Sequence, residues 1–178
     1  SPGERKNYRK ISYFLGVMLN AHGARFVDEG ANFRNYTYAQ YGAAILEQPG
    51  QFAWQVFDSK TYDLLYDEYR FKDAHFVKAD RLEELIAQMS GVDQAAASET
   101  LERYNAAVDQ TTGFDPTVLD GKATVDLSYR TRRVTTKRSG RTHESYYSGY
   151  CTHTPHRIRT ATSLVGARCT VRDTHMQQ

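Results

Sequence analysis

Disulfide frameworks, membrane spans and secretion signals all need features that this sequence lacks. Its only cysteines, Cys151 and Cys169, are too few for a disulfide-stabilised fold. No apolar run approaches the roughly 20 residues that cross a bilayer. The first residues, SPGERKN, contain no apolar core of a signal peptide. We therefore expect no membrane span and a cytoplasmic location, and 178 residues are enough for one domain with its own core.

The sequence lacks the glycine pattern that a dinucleotide-binding site requires. A dinucleotide site places a glycine-rich turn between a strand and a helix, so that backbone N–H groups can approach the diphosphate. The sequence contains 12 glycines but no G-x-G-x-x-G. We therefore predict no cofactor-binding residues in this chain.

Charge is distributed unevenly along the chain, although the net charge is only +2. Acidic residues outnumber basic residues as far as Asp120. From Gly121 onward, nine arginines and two lysines accompany only three acidic residues. This change at one point predicts two regions, residues 1–121 and residues 122–178.

The first region alternates strand-like and helix-like stretches, which predicts an α+β fold. Residues 15–19 and 24–27 flank a turn and suggest a hairpin, and residues 52–57 have the composition of a buried strand. A polar loop is predicted over residues 28–35. Helical spacing is found around Tyr41, around Tyr66, after Asp80 and after Asp93, with the two aspartates as predicted N-caps.

The second region has no comparable pattern. Its apolar residues occur singly among Thr, Ser and Arg, so it buries too little apolar surface to offset the entropy of ordering. We expect residues 122–178 to be an irregular or disordered basic tail. Two interpretations stay open: an out-of-frame translation, or a true extension of a non-catalytic protein that binds an anionic partner.

Neither metal nor nucleic acid is an expected ligand of this tail. Its candidate metal ligands do not have the paired spacing of zinc sites, so no metal site is predicted. The basic run over residues 130–141 is not accompanied by a recognisable nucleic-acid-binding module. The candidate metal ligands are Cys151, His153, His156, Cys169 and His175.

Six stretches of the first region resemble one flavoprotein superfamily in the same order. Residues 23–30, GARFVDEG, resemble the flavoprotein subunits of fumarate reductase and succinate dehydrogenase. Residues 12–20 and NFRNYTY at 32–38 are similar to the tricarballylate-dehydrogenase branch of that superfamily. The remaining stretches are GQFAWQVFD at 50–58, ADRLEEL at 79–85 and TLERYNA at 100–106.

The resemblance implies a fragment of an FAD-dependent oxidoreductase, namely the substrate-capping region and its junctions with the flavin domain. Such enzymes dehydrogenate, or reduce as an enoate, a CH–CH bond of a small carboxylate substrate. The flavin-binding turn would precede this stretch and the flavin-covering half would follow residue 121. We therefore expect the chain alone to be inactive.

Arg34 is the one residue to which the resemblance assigns a catalytic role. In the family, an arginine shortly after the Arg-Phe-Val-Asp/Asn-Glu motif gives or takes the proton at the substrate carbon. Arg34 lies one residue further from the motif than in fumarate reductases. A planar guanidinium also suits this place because it binds a carboxylate through two hydrogen bonds. The alternative is a solvated loop arginine.

The other polar residues of the first region are predicted to be structural. Asp28 and Glu29 are adjacent and point to opposite sides of an extended chain, so we expect them to fix a loop rather than share acid–base chemistry. The tyrosines at 36–41 and 62–69 have helical spacing and are predicted to pack. His22 and His75 are isolated and need no special role.

Overall fold

The computed structural model describes residues 10–72, 74–107 and 164–170. Within them, four strands form one antiparallel sheet in the order β1-β2-β4-β3. The combination of helices with this sheet confirms the predicted α+β class. The strands are β1 (Val17–Leu19), β2 (Phe52–Phe57), β3 (Phe76–Ala79) and β4 (Leu164–Thr170).

Helices cover both faces of the sheet. Helix α1 packs on one face, and helices α3 and α4 pack on the other. None of the helices in the described ranges is long and apolar enough to cross a membrane. The helices are α1 (Arg34–Leu46), α2 (Ser59–Tyr62), α3 (Leu82–Gln88) and α4 (Gln94–Ala107), with 3-10 turns at Tyr13–Leu15, Pro49–Gln51 and Asp67–Arg70.

Strand β2 is buried on both faces, as its apolar composition predicts. Trp54 points towards α3 and α4, whereas Ala53 points towards α1. The Trp54 indole donates Nε1–H to the Ser90 carbonyl at 3.1 Å, so its polar atom has a partner although the side chain is fully buried.

The chain turns sharply after β1, as predicted. Asn20 Oδ1 accepts two backbone N–H groups of the turn, at 3.0 and 3.1 Å. Gly23 has a φ of +68°, and a Cβ there would lie 2.4 Å from the Ala97 nitrogen of α4, so only glycine fits. The returning chain makes one bridge, between Leu19 and Arg25, so the hairpin is a single pair rather than a ladder.

Strand β4 corrects the expectation for the basic tail. Residues 164–170, expected to be irregular, pair with β2 on one side and with β3 on the other. Gly166 suits this central place because a Cβ there would lie 2.9 Å from Val77 Cγ2 and 3.4 Å from the Trp54 ring. The strands that pair with this segment lie far earlier in the chain, so the local pattern on which the expectation rested could not indicate the pairing. The rest of the tail and the boundary near residue 121 lie outside the described residues.

The N-caps of α3 and α4 agree with the prediction in one case only. Asp93 Oδ1 accepts the Ala96 N–H at 3.0 Å and caps α4 as predicted. At α3, Arg81 rather than Asp80 occupies the N-cap position, and the Arg81 side chain makes no capping hydrogen bond. The tyrosine-rich segment after β2 does not form the predicted continuous helix, because α2 ends at Tyr62 and a separate 3-10 turn follows.

Candidate functional site

Arg34 opens helix α1. The loop predicted over residues 28–35 ends at Phe33, so Arg34 is fixed by the helix backbone rather than carried on a loop. The side chain is half-buried. Its Nη1 donates to the Tyr66 hydroxyl and its Nη2 donates to Asn35 Oδ1 at 2.9 Å. The Arg34 Cζ lies 5.5 Å from the centroid of the Tyr66 ring, a cation–π distance.

No carboxylate neutralises Arg34 within the described ranges. Its two side-chain partners are neutral, whereas the ion pairs found there belong to other arginines. A guanidinium has five N–H donors, so three have no protein acceptor among these residues. A half-buried cation with unused donors is suited to a carboxylate ligand.

The N-terminus of α1 adds to the positive potential at Arg34. Phe33 occupies the N-cap position and no side chain caps the helix there. The first turn contains no acidic residue. The partial positive charge of a helix N-terminus is strongest in its first turn, so it reinforces the guanidinium. This end of α1 therefore favours an anion.

Tyr13 holds the backbone of Arg34 from the side of the core. Its hydroxyl lies 2.6 Å from Thr37 Oγ1 and donates to the Arg34 carbonyl at 3.4 Å. Burial raises the pKa of Tyr13, and the Thr37 hydrogen bond and the Arg34 charge lower it only in part. The phenol therefore stays protonated at neutral pH and has a structural role.

Asp28 and Glu29 fix the loop before α1, as predicted. The Asp28 carboxylate accepts the Gly30 N–H at 3.3 Å, and the Asp28 carbonyl accepts the Tyr41 hydroxyl. Glu29 Oε1 accepts the Met18 N–H of strand β1 at 2.6 Å. The two carboxylates thus bond to different parts of the chain and do not form an acid–base pair.

Arg25 forms a buried ion pair with Glu29. The guanidinium bonds both carboxylate oxygens, and the two side chains are 11% and 2% exposed. The Arg25 Cζ also lies 5.1 Å from the centroid of the Tyr104 ring on α4. Because both charges are largely removed from water, each depends on the other. This pair connects the loop to α4.

The tyrosine-rich stretches divide between packed and exposed residues. Tyr41 and Tyr69 are buried, as predicted. Tyr36 and Tyr38 are 75% and 41% exposed, so the packing prediction is wrong for them. Tyr66 contacts Arg34, and the sequence analysis missed this contact because no local spacing rule connects residues so far apart in the chain.

The described residues contain no group of three or more side chains suited to a metal ion. His75 contacts the edge of Trp54 at 5.2 Å between ring centroids, and burial, Arg168 and Lys10 lower its pKa. Most of the cysteines and histidines of the basic tail lie outside the described ranges, and the absence of a metal site there stays a prediction.

The glycines with positive φ form no cradle for a dinucleotide in the part of the chain that the structure describes. Gly23 packs against the α4 backbone, and Gly50 and Gly91 pack against the Phe52 ring. The strand pairs there are antiparallel, whereas a doubly wound dinucleotide site needs a parallel strand followed by a turn and a helix. These residues do not fit FAD.

No protein-family model matches the sequence. Over 97 residues, the chain is 35% identical to "Probable fumarate reductase Ifc3" of Shewanella frigidimarina (strain NCIMB 400). This match covers 52% of the chain and 15% of the relative. The structure is similar to the open conformation of a flavocytochrome c3 fumarate reductase, with a TM-score of 0.50 at 21% identity, over 93% of this chain and 22% of that one.

The two comparisons confirm the resemblance to fumarate-reductase-type flavoproteins over part of such a protein. The sequence match supports the relationship, and the structural match shows the fold alone. The chain spans about a seventh of the length of the curated relative.

Proposed function

We propose that this partial counterpart of a fumarate-reductase-type flavoprotein belongs to an FAD-dependent oxidoreductase that acts at a CH–CH bond of a small carboxylate substrate. The sequence match supports the reaction class, and the surroundings of Arg34 support the substrate class. In this proposal FAD is held by polypeptide that this chain does not contain. The chain alone is therefore inactive.

Arg34 is the residue that contacts the substrate in this proposal. Its planar fork binds one carboxylate, and the positive end of α1 stabilises negative charge at the same place. The guanidinium serves as counter-charge to that carboxylate, and the family resemblance assigns to Arg34 the proton transfer at the neighbouring substrate carbon.

One observation carries the proposal. Arg34 is half-buried and held by two neutral partners, and no acidic residue within the described ranges neutralises it. The alternative of a non-catalytic protein with a disordered basic tail has less support, because seven residues of that tail form strand β4.

The proposal is tested by titrating the purified chain with succinate and with tricarballylate at constant ionic strength, followed by ¹H–¹⁵N NMR. We expect saturable shifts of the Arg34 Nε–Hε signal and of the first amides of α1. A bidentate pair in an open site corresponds to a Kd of about 1 mM. Tighter binding of tricarballylate than of succinate would support the tricarballylate branch.

Two variants give the titration its controls. Arg34→Met should abolish the saturable shifts. Arg103→Met removes the same charge from the exposed surface of α4 and should leave them unchanged. Binding that survives Arg34→Met, or shifts spread evenly over the surface, would contradict the proposed site. A flavin absorption band retained by the purified chain would contradict the placement of FAD outside it.

A further inference from the structure

A chain of buried hydrogen bonds leads from the sheet towards Arg34. Gln55 lies on β2 and is 1% exposed. Its amide group donates to the Lys10 carbonyl at 3.0 Å and accepts from the Tyr69 hydroxyl at 2.6 Å. The same hydroxyl accepts the Ser12 N–H at 2.9 Å. A buried amide with both ends engaged has a fixed orientation, and so have its partners.

The chain of hydrogen bonds continues to Tyr66. Ser12 Oγ accepts the Tyr66 N–H at 3.2 Å, which attaches the Tyr66 backbone to a residue already tied to the sheet. The Tyr66 ring packs against the cluster of Phe57, Leu65 and Tyr69. The core therefore places Tyr66 without help from Arg34.

Tyr66 restrains Arg34 through two different contacts. Its hydroxyl accepts a hydrogen bond from Nη1, and its ring lies 5.5 Å from the Cζ. An arginine side chain loses rotamer freedom when it binds a ligand, and restraint before binding reduces that loss. Tyr13 restrains the Arg34 backbone but does not contact the guanidinium in this way.

We propose that Tyr66 is a positioning residue that orients the Arg34 guanidinium before a small carboxylate binds. The inference rests on the proposed function for the class of the ligand, but the restraint itself exists without a ligand. The remaining N–H groups of the guanidinium then have a defined direction, because the side chain does not sample several rotamers.

The restraint is measured first, on the ligand-free chain of 178 residues. NMR of the Arg34 Nε–Hε group should show a ring-current shift and slow rotation about the Nε–Cζ bond. Tyr66→Phe should keep the ring-current shift but speed up the rotation, because only the hydroxyl is lost. Tyr66→Leu should lose both the ring-current shift and the slow rotation. Tyr36→Leu, which replaces a tyrosine that is 75% exposed, should change neither the shift nor the rotation rate.

Succinate binding to the same variants is measured second. Loss of the hydroxyl in Tyr66→Phe should weaken binding about threefold to tenfold, which is the effect of one hydrogen bond. Tyr66→Leu should weaken it further, and Tyr36→Leu should have no effect. Unfolding midpoints of all variants show whether a loss of binding follows from a loss of fold.

The outcomes separate the two proposals. Arg34 signals that are the same in the wild type and in Tyr66→Phe and Tyr66→Leu would overturn the positioning role, whether or not succinate binds. Restrained Arg34 signals together with no succinate or tricarballylate binding would support the restraint and contradict the proposed function. If Tyr66→Leu does not fold, Tyr66→Phe decides the matter alone through the rotation rate.

Discussion

Arg25 lies in the segment between β1 and α1, Arg34 is the first residue of α1, and each guanidinium lies over a tyrosine ring. Arg25 is paired with the buried Glu29 carboxylate and lies 5.1 Å from the Tyr104 ring centroid. Arg34 has the Tyr66 hydroxyl in place of a carboxylate, with a ring distance of 5.5 Å. A similar ring contact thus accompanies a neutralised cation at Arg25 and, at Arg34, a cation with no acidic partner among the residues that the structure describes.

This difference distinguishes a structural arginine from one suited to a ligand. A buried ion pair stabilises only as a pair, because either charge alone is costly to bury. A half-buried guanidinium held by neutral groups keeps its charge for an external anion. The two arginines differ in role because their partners differ: Arg25 is paired with Glu29, and Arg34 contacts Tyr66.

The largest effect is expected where the ion pair is broken. Glu29→Ala leaves the Arg25 charge buried and removes the acceptor of the Met18 N–H. We expect the free energy of unfolding to fall by about 3–5 kcal/mol. Urea denaturation measures this loss, provided that the m value is unchanged.

Glu83→Ala is the matched control for this experiment. Glu83 is 65% exposed and lies 3.6 Å from Arg81, so the same substitution should change stability by less than about 0.5 kcal/mol. Equal effects of the two glutamate substitutions would remove the distinction between a structural and a surface ion pair, and with it the assignment of Arg25.

A smaller effect tests the sheet on which both arginines depend. Strand β4 pairs with β2, whose Gln55 begins the hydrogen bonds that reach Tyr66. Gly166→Val places side-chain atoms against Val77 and Trp54 and should destabilise by about 1–3 kcal/mol. Unchanged stability, or fast amide exchange over residues 164–170, would show that this segment is not in the sheet.

The sequence predicted the elements whose signals are local. The apolar run 52–57 is strand β2, Asp93 caps α4, and the carboxylates Asp28 and Glu29 fix a loop. The Asp28 and Asp93 contacts lie two or three residues away, and the strand follows from burial on both of its faces, whereas the Glu29 bond to Met18 spans 11 residues.

Two features depend on contacts between distant segments and were not predictable in this way. Strand β4 is defined by its pairing with β2 and β3, and both partners lie far away in the chain. Tyr66 reaches Arg34 only because Ser12 and Tyr69 hold it beside α1. A helical period relates Tyr62 to Tyr66, yet the chain there forms separate turns.

The smallest expected effect on stability bears most directly on Arg34. Arg34→Met removes two hydrogen bonds to neutral partners and a cation–π contact from a half-buried site, so the free energy of unfolding should fall by about 1 kcal/mol. Urea denaturation checks this value beside Glu29→Ala. A loss as large as that of Glu29→Ala would make Arg34 a second structural arginine, and lost succinate binding in Arg34→Met would then reflect damage to the fold. If Arg34→Met is stable and does not bind succinate, the loss of binding is caused by the missing guanidinium.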